Sequence, residues 1–260
     1  FFRIVALDDL ARDQIAAFVI ARGIADSKAF LDAVERADAW SFTSRPQDLE
    51  ELIEFWLDQG RIGSCLEIMQ NSIDRRLTER DQDRADVHPL PAELARQGAR
   101  LLAAATTLTR ESTINVPDGS VNSKGIDIRS VLPDWNSKDH STLLSLPIFD
   151  EAIYGTVHFH HRSVREYLTA EWFYELLKRE TSRRNIEALF FREQYGLDIV
   201  APTLRPILPW LILWDEKIGD RVRKSAPETL FEGGDPGQLP IAVRRSVLRD
   251  VCKQMANNAT

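Results

Sequence analysis

The sequence predicts a mainly α fold, in which a helical bundle is followed by a winged-helix domain with a small β-hairpin and then by further helices. Apolar residues recur at helical spacing through most of the 260 residues, and glycines and prolines separate these segments. Two short apolar segments on either side of Gly155 have the pattern of a hairpin instead. Hydrophobic residues make up 43% of the chain, so a sizeable core is expected.

Four amphipathic helices are predicted at the start of the chain. They cover Leu7–Ile20, Asp26–Ala37, a segment from Pro46 towards Gly60, and Ser64–Arg80. Asp26 or Ser27 is expected to cap the second helix, and Gly23 to end the first. Pro46 suits a first helical position, because a backbone N–H there would have no helical partner. The third helix is expected to bury its apolar face, which consists of Leu49, Leu52, Ile53, Trp56 and Leu57.

The polar, proline-flanked segment Arg80–Pro91 predicts a loop between domains. The winged-helix unit predicted after it has six elements. They are a helix (Pro91–Thr109), a strand (Thr113–Val116) followed by a turn (Pro117–Gly119), two short helices (Ile126–Leu132 and Ser141–Leu146), a hairpin (Ile148–Phe149 with Thr156–His160) and a strong helix (Arg162–Arg179).

After residue 180 the chain is again predicted to be helical. The segments are Arg184–Gln194, Thr203–Trp214, Asp215–Ser225 and Pro240–Asn257. The predicted domains are therefore a helical bundle at 1–86, a winged-helix domain at 87–180, and a helical segment at 181–260 that begins a repeat region or, as the family resemblance given below implies, a sensor region. The most apolar run, Pro206–Trp214, is too short to span a bilayer. Trp210 and Trp214 are expected in the core, with a docking face for a following repeat as the alternative.

Charge and composition exclude several functions. The net charge of −7 argues against nucleic-acid binding, which needs concentrated positive charge. Cys65 and Cys252 match no metal spacing and fit a reducing, cytoplasmic setting. No serine, cysteine or histidine spacing suggests nucleophilic catalysis, so no catalytic residue is predicted. The start Phe1-Phe2-Arg3, without an initiator methionine, suggests a piece of a longer protein.

Three segments carry a family resemblance. They are Phe2-Arg3-Ile4 with Leu7, the segment Arg45-Pro46-x-Asp48-Leu49 that continues to Trp56 and Gly60, and Phe159-His160-His161 with Glu166-Tyr167-Leu168-Thr169-Ala170. Together they resemble the bacterial NACHT branch of the STAND NTPases, over most of residues 1–180. The third segment is the most specific, because it is similar to the Phe-x-His…Glu-Tyr-Leu-x-Ala signature of the winged-helix domain in this family.

The resemblance implies an ATP/ADP-dependent signalling switch. By position, His161 corresponds to the histidine that reaches the β-phosphate of ADP and locks the closed state, with His160 as a one-residue alternative. Pro46 corresponds to the contact near the adenine, and Arg45 to a possible phosphate contact. The family further implies an upstream P-loop domain that holds Mg and nucleotide, homo-oligomerisation on activation, a protein trigger, and a role in antiphage defence, without nucleic-acid or membrane partners.

The sequence departs from the family in one respect. It contains no G-x-x-x-x-G-K-[ST] loop and no acidic Walker B strand, so these residues alone should neither bind ATP tightly nor hydrolyse it.

Plainer interpretations stand beside the switch. His161 is also placed to cap a helix, and Arg45 to form an ion pair with Asp48 or Glu51. A zinc site at His158, His160 and His161 lacks a suitably spaced further ligand. A helical protein-interaction scaffold and a winged-helix DNA binder are the alternative functions.

Overall fold

The computed structural model describes residues 9–37, 39–44, 46–78, 90–117, 125–152, 155–194 and 196–258. Within these ranges twelve α-helices form: α1 (Arg12–Ala21), α2 (Ser27–Arg36), α3 (Pro46–Gln59), α4 (Cys65–Thr78), α5 (Ala92–Thr109), α6 (Ile128–Val131), α7 (Ser137–Leu144), α8 (Arg162–Leu177), α9 (Glu180–Phe190), α10 (Leu208–Leu211), α11 (Glu216–Ser225) and α12 (Ile241–Asn258). The strands are β1 (Ile114–Asn115), β2 (Ile126–Asp127), β3 (Phe149–Ala152), β4 (Thr156–Phe159), β5 (Phe191–Gln194) and β6 (Leu197–Val200). The predicted mainly α fold with a small hairpin is confirmed.

The chain forms two compact units, residues 1–72 and 73–260, so that the division falls inside α4. The three functional domains predicted from the sequence stay a prediction. Residues 1–8, which contain the Phe2–Leu7 segment, lie outside the described residues, as do residues 79–89 of the predicted loop and residues 118–119 of the predicted turn. No described helix is long and apolar enough to cross a membrane.

In the first unit, α1, α2, α3 and the start of α4 share one apolar core. Its fully buried members include Val19, Phe30, Val34, Leu49 and Leu52. Local capping chemistry sets the helix starts. The Asp26 carboxylate accepts a 2.9 Å hydrogen bond from the Ala29 amide, as predicted. Before α4, Ser64 and Glu67 form a reciprocal capping box.

Two sequence predictions fail in this unit. The first helix begins at Arg12 rather than Leu7, because residues 9–11 are not helical and the Gln14 side chain accepts a hydrogen bond from the Ala11 amide at the helix start. The other failure is Leu57, which was expected in the core but is 58% exposed. The buried stripe of α3 is narrower than the apolar pattern suggested, and it leaves Leu57 on the solvent side.

A four-stranded sheet in the order β2-β1-β4-β3 forms part of the second unit. β1 and β2 are parallel, whereas β4 pairs antiparallel with both β1 and β3. The predicted hairpin is confirmed, and Gly155 in its turn has φ +70°, which favours glycine. The sequence predicts a helix at Ile126–Asp127, but these residues form β2 instead. α7 starts at Ser137 rather than Ser141, because Asn136 caps it.

α5 and α8 pack against each other and form the centre of the second unit. Tyr167, Leu168 and Phe173 on α8 are fully buried, as is Leu102 on α5. α7 also packs on α5, at Gly98, where an added Cβ would lie 2.7 Å from atoms of both Leu143 and Trp135. Close packing around α8 therefore fixes the position of the segment that precedes it.

The C-terminal part departs most from the prediction. The helix expected at Arg184–Gln194 is α9, which begins at Glu180 and ends at Phe190, and the chain then forms the antiparallel hairpin β5–β6. Phe191 and Val200 pair across this hairpin and are both buried. The expected Thr203–Trp214 helix is reduced to a 3-10 turn at Arg205–Ile207 and the single turn of α10. Asp215 caps α11 through the Ile218 amide.

Candidate functional site at the start of α8

The end of β4 sets the position of the candidate site. Phe159 pairs with Phe149 across the hairpin, their ring centroids are 4.8 Å apart, and both side chains are buried. The His160 amide then donates to the Ile148 carbonyl at 3.0 Å, which extends the ladder by one residue. Buried aromatic packing therefore anchors the strand up to the point where His160 and His161 follow.

His161 occupies the N-cap position of α8. Its backbone is extended, with φ −125° and ψ 142°, and its side chain makes no capping hydrogen bond to the first turn. The alternative that this histidine serves as a side-chain cap is therefore wrong. The half-buried imidazole lies beside a sixteen-residue helix N-terminus, where amide groups and the helix dipole favour negative charge.

His160 packs edge-on against His161, with ring centroids 4.3 Å apart. Its Nδ1 donates to Oδ2 of Asp150 at 2.7 Å, and only 9% of its side chain is exposed. Its Nε2 is buried and has no hydrogen-bond partner among the described residues. Burial, followed by the nearby charge of Arg76, lowers the pKa of His160, although the Asp150 carboxylate opposes this shift. The ring is therefore neutral at pH 7, with its proton on Nδ1 and a lone pair on Nε2.

Arg165 lies four residues after His161, so helical spacing brings it to the same side of α8. Within the part of the chain that the structure describes, its half-buried guanidinium has no salt bridge, and its Nε has no hydrogen-bond partner. Burial lowers the pKa of Arg165. The adjacent Glu166 instead accepts a 2.6 Å hydrogen bond from Arg162. The charge of Glu166 opposes this lowering of the pKa, but a partly desolvated guanidinium that forms no salt bridge among the described residues is well suited to an anionic ligand.

A second arginine adds positive charge near His160. Arg76 on α4 is buried, and its Nη1 donates to the Pro147 carbonyl at 3.0 Å. Its charge is close enough to lower the pKa of His160. Arg76 and the Asp150 carboxylate both act on His160, next to His161, and Arg165 lies one turn into α8, in a protein whose net charge is −7. This arrangement favours binding of a phosphate-type anion.

The predicted site residues fall in different parts of the structure. Pro46 is the first residue of α3, as predicted, and is exposed in the first unit. Arg45 lies outside the described residues. His161 belongs to the second unit. A joint contact of Pro46 and His161 with one nucleotide stays a prediction.

Sequence reasoning missed three residues of this site. Arg165 could have been found from its helical spacing to His161. Asp150 is directly opposite His158 across the hairpin and hydrogen bonds to His160, so strand register would have identified it only after the pairing was known. Arg76 has no sequence signal, because tertiary packing alone brings α4 to the hairpin.

Comparison with known proteins does not assign a family. No family model matches this chain, and no curated protein matches it. Function is therefore inferred from the residues and their geometry.

Proposed function

We propose that this chain is a regulatory part of an ATP/ADP-dependent signalling switch of the NACHT/STAND class. In this proposal His161 contacts a phosphate of ADP and thereby stabilises the closed, inactive state. The nucleotide and its Mg are held mainly by a P-loop domain of the same protein. Pro46 contributes near the adenine, Arg45 near the phosphates, and ADP-to-ATP exchange releases the winged helix for homo-oligomerisation in antiphage defence.

The observation that carries the proposal is the setting of His161. Its imidazole is held at a helix N-terminus without capping that helix, one helical turn from Arg165, whose guanidinium forms no salt bridge among the described residues. A structural histidine at this position would be expected to satisfy the helix end or to be enclosed in the apolar core. His161 does neither, since its side chain makes no capping hydrogen bond and is half-buried beside the His160 ring.

One such contact is sufficient for a switch. A charge-assisted hydrogen bond contributes about 1.5–3 kcal/mol. That is roughly a tenfold or larger bias between two domain arrangements. Bound nucleotide shifts the equilibrium between the closed and open states only by the difference in its binding free energy for the two states. A residue that contacts the phosphate in the closed state alone therefore stabilises that state.

The decisive experiment replaces His161 with leucine in the full protein that includes the P-loop domain. We expect ADP affinity to fall roughly tenfold or more, and less ADP to remain bound through purification. His158→Leu is the matched control, because His158 lies on β4 and its Nδ1 is 3.2 Å from the Asp150 carbonyl, away from the helix end. Unchanged ADP affinity in His161→Leu contradicts the assignment. If only His160→Leu lowers ADP affinity, the phosphate contact is assigned to His160 instead of His161.

The apolar segment Pro206–Trp214 suggested the alternative of a protein-interaction scaffold, but it is largely buried. Trp210, Leu208 and Leu211 of the apolar segment are buried in the core of the second unit. Tyr167 of α8 packs edge-on against both Trp210 and Trp214, at 5.2 and 5.4 Å between ring centroids. The prediction that this segment is core is confirmed for Trp210, and the segment does not offer a docking face.

The DNA-binding alternative gains no support from α7. This short helix carries one lysine, Lys138, and its His140 is buried with Nε2 2.9 Å from the Leu132 carbonyl. A recognition helix needs several side chains that reach bases or phosphates. A gel shift at low salt is expected to show no complex with duplex DNA.

A further inference from the structure

His160 lies directly against the proposed phosphate contact. Its ring packs edge-on against the ring of His161, with 4.3 Å between the ring centroids. At physiological salt the electrostatic screening length is about 8 Å. An anion bound to the His161 imidazole therefore acts strongly on any charge that the His160 ring carries.

One nitrogen of the His160 ring is available for a second proton. Nδ1 donates to Oδ2 of Asp150 at 2.7 Å, whereas Nε2 is buried and has no hydrogen-bond partner among the described residues. Only 9% of the side chain is exposed. Because the ring is neutral at pH 7, Nε2 holds a lone pair and is the atom at which a further proton binds.

The surroundings of His160 keep its ring neutral. Burial lowers the pKa of His160, and the charge of Arg76 on α4 and the neighbouring His161 lower it further. The Asp150 carboxylate on β3 acts in the opposite direction, through its hydrogen bond and its charge. An additional negative charge near the ring would therefore add to the effect of Asp150 and favour the imidazolium form.

α8 contributes two arginines and one glutamate close to His161. Arg162 and Glu166 pair with each other at 2.6 Å, whereas Arg165 forms no salt bridge among the described residues. The helix N-terminus adds the positive end of its dipole. Among these groups of the second unit, positive charges outnumber negative ones, so a charged His160 gains its counter-charge only when an anion binds.

We propose that His160 takes up a proton at Nε2 when a phosphate of ADP binds to His161, so that acid favours the ADP-bound, closed state. This inference rests on the proposed function, which supplies the phosphate contact at His161. The proton comes from solvent, and the ring becomes an imidazolium. The Asp150 carboxylate and the bound phosphate together provide its counter-charge.

This linkage makes ADP affinity depend on pH. Bound phosphate raises the pKa of His160, so ADP affinity rises as the pH falls from that raised value to the lower pKa of the nucleotide-free protein. Within this interval one proton changes the affinity by up to about tenfold per pH unit. The terminal phosphate of ADP itself titrates near about pH 6 and loses charge in acid, which acts in the opposite direction. A variant without the His160 imidazole separates the two effects.

Calorimetry of ADP binding to the full protein that includes the P-loop domain tests the proposal. Measurements at about pH 6.5 in buffers of different ionisation enthalpy give the number of protons bound together with ADP. The unchanged protein should bind more protons than His160→Gln, and its ADP affinity should rise several-fold more between about pH 8 and pH 6. His158→Gln is the matched control, because His158 lies on β4 with Nδ1 3.2 Å from the Asp150 carbonyl, and it should behave as the unchanged protein.

NMR titration of histidine-labelled protein provides a second measurement that keeps His160 in place. The pKa of His160 should rise by about one unit or more when ADP is bound. A pKa that ADP leaves unchanged overturns the proposal. Equal proton uptake by the unchanged protein and His160→Gln also overturns it, if His161→Leu still weakens ADP binding. If His161→Leu leaves ADP affinity unchanged, the proposed function itself is wrong, and this linkage is wrong with it.

Discussion

Asp150 on β3 accepts a hydrogen bond of 2.7 Å from Nδ1 of His160, the residue that follows β4. This contact joins the two ends of the hairpin and fixes the orientation of the ring next to His161. It also leaves Nε2 of His160 buried and without a partner among the described residues. The hairpin therefore also orients the polar groups at the start of α8, in addition to forming the wing.

The His160–Asp150 pair predicts a pH effect. Burial lowers the pKa of His160 in the folded state, so the unfolded chain binds its proton first as the pH falls. The contribution of His160 to the free energy of unfolding is full above about pH 6.5, the ordinary pKa of histidine. It is lost as the pH falls towards the lower pKa of His160 in the folded state. Asp150→Asn should lower the pKa of His160 further, because it removes the carboxylate that favours the charged ring.

NMR titration of the His160 ring protons measures both pKa values directly. In His160→Gln the thermal stability should depend less on pH in the same range. A folded-state pKa of His160 at or above its ordinary value, or a rise of that pKa in Asp150→Asn, contradicts this prediction.

Two arginine substitutions on the second unit should differ in their effect on stability. Arg96 forms a bidentate pair with Glu171, at 2.5 and 3.2 Å, and contacts Asp74. Arg96→Met leaves the largely buried Glu171 carboxylate without this partner and should cost about 2–4 kcal/mol. Arg165→Met removes a half-buried charge that has no ion pair among the described residues, so its cost should stay below about 1 kcal/mol. Urea unfolding of both variants gives the comparison, and equal losses would contradict it.

Arg165→Met should nevertheless weaken ADP binding in the full protein. The guanidinium is proposed to face the phosphates, and one charged hydrogen bond lost corresponds to roughly tenfold in affinity. Calorimetry with ADP measures this, and Arg129→Met serves as a control because Arg129 is exposed and pairs with Asp127 at the start of α6. If Arg165→Met binds ADP as tightly as the unchanged protein, Arg165 is not part of the nucleotide site.

Two glycine-to-alanine substitutions should change the free energy of unfolding in opposite directions. In Gly98→Ala the new Cβ would lie 2.7 Å from both Leu143 and the Trp135 ring. Overpacking costs about 1–3 kcal/mol and outweighs the gain of about 1 kcal/mol in helix propensity, so a net loss is expected. In Gly219→Ala the nearest atom is 3.8 Å away, so the propensity gain remains.

The thermal midpoint measures this pair. For a chain of this size, 1 kcal/mol corresponds to about 2–4 °C, so Gly98→Ala should melt lower and Gly219→Ala higher than the unchanged protein. Destabilisation by Gly219→Ala would show that α11 does not tolerate a methyl group at this position.

The 260-residue chain should not hydrolyse ATP above the buffer blank. The sequence lacks the glycine-rich loop and lysine that hold the phosphates for transfer. A phosphate-release assay with ATP and Mg measures this. Turnover that persists through repeated purification would show that another phosphate-binding element exists in these residues.

The sequence by itself determined the local elements. Periodic apolar residues together with Asp26 and Pro46 specified where α2 and α3 begin, because caps and first-turn chemistry involve neighbours in the chain. The same local logic identified the hairpin around Gly155 and the helix α8.

Other features depended on tertiary structure alone. Periodicity placed Leu57 in the core, but the width of the buried stripe depends on what packs beside α3. β5 and β6 replaced the end of a predicted helix because Phe191 and Val200 bury each other only when the two strands pair. Arg76 approaches His160 from a distant part of the sequence, and no local spacing encodes such a contact, since burial and charge at a site are summed over all elements that fold against it.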